Sequence, residues 1–268
     1  MKISTNRARQ WLLSASLLAL AAPLTAQEAA STAAAGQPQV SSQVVSPEAQ
    51  AVLDRMGAYL RGLNTFSVTA HVTRDEVVAL GYKLQNNEQS TITVQRPDKL
   101  RAEISGDERD RTIVYDGATL LMYSPNDQAY VRTDAPATLG ELIPALLEMG
   151  VEMPLIDVLY QGTVGTLTEG VRGGILVGES DIDGRTCDHL AFRQASIDWQ
   201  LWVEQGARAL PCKILITTRY EVGDPQYQAV LLWNLKPAIT ASTFTFTAPA
   251  GATEIPLTKT AAADTGAP

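Results

Sequence analysis

The stretch Phe66-Ser-Val-Thr-Ala-His-Val-Thr73 alternates apolar and polar residues without a break. In an extended chain its four apolar side chains would point to one side and its polar side chains to the other. This period of two predicts a β-strand with one buried and one solvated face. Such strands are typical of antiparallel sheets that carry their core on a single face.

A helix is predicted directly before this strand. Ser46, Pro47 and Glu48 are residue types favoured at the N-cap and in the first turn of a helix, where N–H groups lack partners. Apolar residues then recur at intervals of three and four: Val52, Leu53, Met56, Tyr59, Leu60 and Leu63. The pattern predicts one amphipathic helix that ends near Gly62.

Short strand candidates follow on both sides of residues 139–160. They are 90–95, 100–105, 112–115, 119–123 and 129–133, then 175–178, 187–193, 198–204, 212–219, 227–234 and 243–247. Turns such as Asp116-Gly117 and Asp183-Gly184 suit hairpins, whereas parallel strands would need crossover helices. The sequence therefore predicts a mainly β fold of the α+β class, with about a dozen antiparallel strands.

Residues 139–160 form a largely apolar segment within this β pattern. Thr138 and Glu141 have the spacing of a helix capping box, and Pro144 and Pro154 should kink or divide the segment. Acidic residues within it exclude a membrane-spanning helix. We expect two short helices that lie on the apolar face of the sheet and cap a cavity there. The expected cavity residues of this lid are Leu142, Ile143, Leu146, Leu147, Met149, Met153, Leu155, Ile156 and Leu159.

The strands 187–193 and 198–204 can be aligned through the turn between them. Arg193 then faces Asp198 as a charge pair, and two apolar pairs follow on the same alignment. The paired apolar residues are Phe192 with Trp199 and Leu190 with Leu201. We expect these four side chains to lie on the apolar face and to line the cavity from the sheet side.

The two cysteines, Cys187 and Cys212, lie on different predicted strands. An exported chain with two cysteines invites a disulfide. The register argues against it, because Cys212 is in phase with Ile214 on the apolar face and Cys187 is on the other face. One strand between them would separate their Cα atoms by about 10 Å, whereas a disulfide spans at most about 7 Å. The sequence predicts two free thiols unless a bulge changes the register.

Composition and motifs disfavour several classes of function. The 21 Lys+Arg against 29 Asp+Glu give a formal net charge of -8, which disfavours nucleic acid because phosphates require clustered basic residues. No nucleophile elbow, phosphate loop, zinc-protease or dinucleotide motif occurs in the sequence, and two histidines with two cysteines are too few for a typical metal centre. Cys187 and His189 would share a strand face about 7 Å apart, too far for a nucleophilic pair. We predict neither an enzyme, a cofactor nor a metal site.

Both ends of the sequence differ in composition from its middle. Lys2, Arg7 and Arg9 precede a short apolar run, as in a secretory signal peptide that would be cleaved near Ala26. The expected segments are a signal peptide at 1–26, a flexible leader at 27–45, a single domain at 46–257 and a disordered tail at 258–268.

Several motifs of the second half carry a resemblance to a known family. They are Asp183-Gly184 with Cys187–Phe192, Asp198–Trp202, Gly223–Gln226 and Phe244–Phe246. In these residues the chain resembles the predicted periplasmic proteins of domain of unknown function 2092. That family is similar in architecture to the lipoprotein carriers and outer-membrane lipoprotein-insertion factors of the Gram-negative periplasm. The resemblance implies an incomplete antiparallel β-barrel, or strongly curved sheet, with helices covering its concave side.

Two functions stay open at this point. The first, which the resemblance implies by analogy, is a periplasmic, non-enzymatic binder or carrier of lipid or lipoprotein acyl chains in an apolar cavity. The second is a structural or interaction protein of the cell envelope that has the same fold and no ligand. We expect a monomer without a transmembrane span and without a nucleic-acid partner.

Overall fold

The computed structural model describes residues 44–148 and 167–256. The predicted signal peptide, nearly all of the leader and the predicted tail lie outside the described residues, as does the second part of the lid segment. The helices are α1 (Pro47–Gly62) and α2 (Leu139–Glu148), and a short 3-10 turn spans Ala79–Gly81. The strands are β1 (Thr65–Val77), β2 (Lys83–Gln95), β3 (Lys99–Gly106), β4 (Arg111–Tyr115), β5 (Thr119–Ser124), β6 (Ala129–Asp134), β7 (Gly173–Ile182), β8 (Arg185–Arg193), β9 (Ile197–Glu204), β10 (Pro211–Thr218), β11 (Gln226–Asn234) and β12 (Thr253–Glu254).

The described strands form one curved, open sheet in the order β12-β6-β5-β4-β3-β2-β1-β11-β10-β9-β8-β7. Pairing is antiparallel throughout, except that the two-residue β12 runs parallel to β6. β1 lies at the centre, because β2 to β6 extend from one of its edges and β11 back to β7 extend from the other. The predicted mainly β fold is confirmed.

One predicted strand is wrong. Residues 243–247 are not a strand: a turn covers residues 241–244, in which the Thr243 Oγ1 accepts from the Thr240 N–H at 2.9 Å, and the Thr245 N–H donates to the Ser242 carbonyl at 3.3 Å. Hydroxyl side chains that bond the backbone locally compete with a strand ladder in this way. Phe246 still packs, with ring centroids 5.3 Å from Tyr123. The backbone of this region pairs later, at β12.

Both helices begin where the capping residues predict. The Ser46 Oγ accepts from the Ala49 N–H at 3.2 Å, and the Thr138 Oγ1 accepts from the Glu141 N–H at 3.3 Å. Of the two effects expected of Pro144, division of the helix does not occur, since α2 runs from Leu139 to Glu148 through the proline. Apolar burial on both sides of the proline offsets the one backbone hydrogen bond that it removes.

The two helices pack on the same face of the sheet, which we call the inner face. The core there includes Val52, Met56 and Leu60 of α1, Leu142, Ile143 and Leu146 of α2, and Phe66, Val68, Ala70 and Val72 of β1. The last four residues are the apolar half of the alternating stretch, so its period of two correctly predicted the buried side.

The β8–β9 hairpin has the predicted register. Arg193 donates to Asp198 at 2.7 Å, and the rings of Phe192 and Trp199 stack with their centroids 3.9 Å apart. Leu190 lies opposite Leu201, and all four apolar side chains of these pairs are buried in the core.

The prediction for the cysteines is wrong, because Cys187 and Cys212 form a disulfide. In β10, Pro211 and Lys213 lie opposite neighbouring residues of β9, so Cys212 between them is the extra residue of a β-bulge. The bulge turns Cys212 to the face of Cys187 and Trp202, away from the main core. It also brings the two cysteine Cα atoms to 7.1 Å, closer than two regular strand spacings.

Candidate functional site

The inner face of β1 to β4 changes from apolar to charged toward one end. In β1 the buried Val72 is followed, on the same face, by Arg74. In β2 the buried Ser90 is followed by Glu88, and in β4 the buried Ile113 is followed by Arg111. Because side chains two residues apart share a face, these three charged groups continue the rows that form the core.

A cavity of about 530 Å³ lies at this charged end. Its apolar wall consists of Ile104, Ile113, Met122, Val131 and Ile255, and its charged residues are Arg74, Glu88, Arg109, Arg111 and Asp127. Tyr123, Ser124, Ala129 and Tyr130 of the β5–β6 hairpin complete the lining. The volume falls in the range of about 300–1,000 Å³ that is usual for small-molecule sites, which also combine apolar walls with a few polar groups.

The arginines of the cavity differ in their partners. Arg74 donates to Glu108 at 2.5 Å, and Asn86 donates to the other oxygen of the same carboxylate at 2.6 Å. Arg111 is half-buried. The side chain of Arg109 is exposed and forms neither a hydrogen bond nor an ion pair with any residue that the structure describes. The cavity therefore offers at least one guanidinium group whose donors are not used by the described protein.

The carboxyl of Glu88 is partly buried in this cavity. Burial raises the pKa of its carboxyl above the usual value, although the positive charges of Arg74, Arg109 and Arg111 act to lower it. The nearby Glu108 adds a smaller effect that raises the same pKa. The carboxyl of Glu88 is therefore partly withdrawn from water, whereas Arg109 beside it is exposed.

A smaller cavity of about 100 Å³ adjoins the first, since Arg74, Glu88 and Arg109 line both. Tyr227 lines the smaller cavity, and its buried hydroxyl has no hydrogen-bond partner among the described residues. Burial, and then the charge of Glu88, raises the pKa of Tyr227, so its hydroxyl stays protonated. The Tyr227 hydroxyl is thus a hydrogen-bond donor without a partner among the described residues, in the cavity that Arg74 and Arg109 also line.

The residues predicted for the site fall into two groups. Leu142, Ile143, Leu146, Leu190, Phe192, Trp199 and Leu201 are all buried in the core, and none of them lines the 530 Å³ cavity. Met149, Met153, Leu155, Ile156 and Leu159 lie outside the described residues, as does the side chain of Leu147. The ligand role of these residues stays a prediction.

Sequence reasoning missed the charged residues of the cavity. The sequence does contain one indication of them. Arg74 lies two residues after Val72, on the side of β1 that is otherwise apolar, and is charged. A charged residue in phase with buried neighbours is uncommon, because burying a charge is costly.

Cys187 and His189 lie on the opposite face of the sheet, beside Trp202. Cys187 is oxidised in the disulfide and is therefore not a nucleophile. His189 stacks on Trp202 with centroids 4.2 Å apart, and its Nε2 lies 2.8 Å from the Gln200 Oε1. Within residues 44–148 and 167–256, no three His, Cys, Asp or Glu side chains are placed to hold a metal ion. No helix in the same part of the chain is long and apolar enough to cross a membrane.

Solved structures with a similar chain path come from several bacteria. An uncharacterised conserved protein from Thermus thermophilus is 13% identical with a TM-score of 0.45, covering 78% of this chain and 99% of its own. LprF from Mycobacterium bovis is 14% identical with a TM-score of 0.46, covering 74% of this chain and 98% of its own. The LolA superfamily protein NE2245 from Nitrosomonas europaea is 13% identical with a TM-score of 0.35, covering 74% and 97% respectively. Likeness at this level does not extend to function.

No curated protein matches this chain. The family model described as "Predicted periplasmic protein (DUF2092)" matches residues 49–258, which include nearly all of α1, the whole of α2 and all twelve described strands. The chain therefore belongs to this family of predicted periplasmic proteins, as its motifs suggested.

Proposed function

We propose that this protein is a non-enzymatic periplasmic binder of lipid or lipoprotein acyl chains. The observation that carries the proposal is the apolar wall of the 530 Å³ cavity. Ile104, Met122 and Val131 are only half-buried there, so part of their apolar surface faces the cavity. Covering apolar surface contributes roughly 25 cal/mol per Å², which favours a ligand with a hydrocarbon chain.

The lid segment has a role in this proposal. Leu142, Ile143 and Leu146 anchor α2 on the inner face of the sheet. Met149, Met153, Leu155, Ile156 and Leu159 remain proposed ligand contacts, and Leu190, Phe192, Trp199 and Leu201 remain proposed contacts for a hydrocarbon chain that extends beyond the 530 Å³ cavity. The family description supports the compartment, and export with cleavage near Ala26 is part of the proposal.

A second candidate function is that of an envelope interaction protein without a ligand. It is favoured by β7, an edge strand of the described sheet on which Ile175 is 56% exposed and Val177 is 52% exposed. Edge strands with apolar side chains can accept a strand from a partner.

Lipid extraction from the purified protein, followed by mass spectrometry, tests the proposal. Ile104→Glu places a carboxylate in the cavity wall, and Ser105→Glu places the same group on the other face of β3, where Ser105 is exposed. We expect lipid in the wild type and in Ser105→Glu, but not in Ile104→Glu, because an unpaired charge in an apolar site is costly. Cooperative thermal unfolding of both variants is the folding control.

Wild-type protein without a stoichiometric lipid would contradict the proposal and favour the interaction protein. Lipid retained by a folded Ile104→Glu variant would show that the cavity is not the site.

A further inference from the structure

We propose that the ligand is an amphiphile with an anionic head group, a carboxylate or a phosphate, which Arg74, Arg109 and Arg111 hold at the charged side of the cavity. This inference rests on the proposed function and adds the chemical class of the ligand. The hydrocarbon chain then lies against the wall of Ile104 and Val131.

The first support is the convergence of three arginines from separate parts of the fold. Arg74 comes from β1, Arg109 from the turn between β3 and β4, and Arg111 from β4, and all three line one cavity. The chain as a whole is acidic, with a net charge of -8, so composition alone does not account for such a group. Guanidinium groups bind carboxylates and phosphates through paired hydrogen bonds.

The second support is that Arg109 is not paired with any of the neighbouring acids that the structure describes. Glu108 is bound by Arg74 and Asn86, and Asp127 accepts from the Ser124 hydroxyl at 2.6 Å. Arg109 keeps its donors free of the described residues. An entering anion therefore meets an available guanidinium group without first breaking an ion pair of Arg109.

The third support is the Tyr227 hydroxyl. It is buried, unpartnered among the described residues, and faces the cavity that Arg74 and Arg109 also line. A buried hydroxyl without a partner is unfavourable, and a ligand oxygen would satisfy it. Tyr227 thus provides a further donor, beside the arginines, for an oxygen of a ligand.

Glu88 makes the binding of an anion depend on pH. The charged groups that face it are Arg74 from β1, Arg109 and Glu108 from the β3–β4 turn, and Arg111 from β4. A bound anion raises the pKa of the Glu88 carboxyl further, by like-charge repulsion, so the complex takes up a proton. For an anion that keeps its charge over this range, such as an alkyl sulfate, affinity then increases as the pH falls from the bound to the free pKa of Glu88, and is constant below both.

Binding measurements with matched ligands test the inference. Palmitate and hexadecanol have the same hydrocarbon chain length and differ in the head group, and inorganic phosphate provides the anion alone. We expect wild-type protein to bind palmitate about tenfold or more tightly than hexadecanol. The double variant Arg109→Gln/Arg111→Gln should lose about that factor for palmitate and keep its affinity for hexadecanol within about twofold. Arg208→Gln removes the same charge from the turn between β9 and β10, which does not line the cavity, and should change neither affinity.

Equal affinities of the wild type for palmitate and hexadecanol would overturn the inference and leave the proposed function standing. Inorganic phosphate that binds as tightly as palmitate would also overturn it, by showing a site for small anions. Absence of binding by either amphiphile would overturn both. The comparison of ligands on the wild type decides the question even where a variant fails to fold.

Discussion

Replacing both Cys187 and Cys212 with alanine should lower the free energy of unfolding by about 3.5 kcal/mol. The two cysteines are 25 residues apart, and loop-closure entropy for that length, lost from the unfolded chain, gives this magnitude. Both side chains are fully buried beside Trp202, so the small cavities left by alanine add to the cost. For a domain whose total stability is about 5–15 kcal/mol, this is a large fraction.

Urea unfolding followed by tryptophan fluorescence measures the effect. With an m-value of about 2–3 kcal/mol per M, the midpoint should fall by about 1–2 M. Adding a reducing agent should shift the midpoint of the wild type toward that of the variant, and should leave the variant unchanged. That second comparison separates the loss of the covalent bond from the loss of the sulfur atoms.

Two results would refute the reasoning about the disulfide. One is an unchanged midpoint in the Cys187→Ala/Cys212→Ala variant. The other is the titration of two free thiols in denatured protein that has not been reduced, which would show that the β10 bulge does not bring the sulfurs together.

Three further changes probe separate parts of the molecule. Gly174→Ala should destabilise the fold by about 1–3 kcal/mol, because its Cβ would lie 2.6 Å from a ring carbon of the buried Phe192. Gly173→Ala, with no atom within 4 Å of its Cβ, should have little effect; equal thermal shifts for the two would contradict this packing. Leu80→Gly should stabilise by up to about 1 kcal/mol, since Leu80 has a φ of 69° and is 95% exposed, and a lower midpoint would argue against relief of strain. Glu88→Gln should abolish the strengthening of dodecyl sulfate binding at acidic pH, and a variant with the slope of the wild type would assign the dependence to another group.

Local pattern and short-range pairing predicted a large part of this fold. The period of two in β1 gave its buried side, and the charge pair of Arg193 with Asp198 gave the register of β8 with β9. Both rest on residues that are close in sequence, where the turn limits the possible alignments. Pairing of β1 with β11 could not be predicted in this way, because no turn connects them.

The sequence itself indicates the bulge that brings the two cysteines together. Pro211 begins β10, which lies between β9 and β11 in the sheet. Proline in an interior strand is confined to the first residue or to a bulge, because it cannot donate to the ladder. A register drawn regularly through Pro211 therefore placed Cys212 on the wrong face.

The candidate cavity was the least predictable feature. Arg74, Glu88 and Arg111 are far apart in the sequence and meet only because β1 to β4 pair in order with a definite stagger. Each looked like an ordinary polar residue at the end of a strand. Only the register of the strands shows that these three side chains lie together on the inner face.

The central place of β1 has a consequence for how the chain reaches its native state. Strands that are neighbours in sequence pair first, so β1 to β6 can form as successive hairpins before the rest of the chain joins the sheet. The other edge of β1 pairs only when β11 is in place, and the paired residues, such as Ser67 and Asn234, are far apart in the sequence. Until β1 pairs with β11, this edge of β1 presents unpaired N–H and C=O groups to any neighbouring chain. Because pairing between residues so far apart in sequence is slow, we expect this closure to limit the rate of folding and misassembly to occur mainly before it.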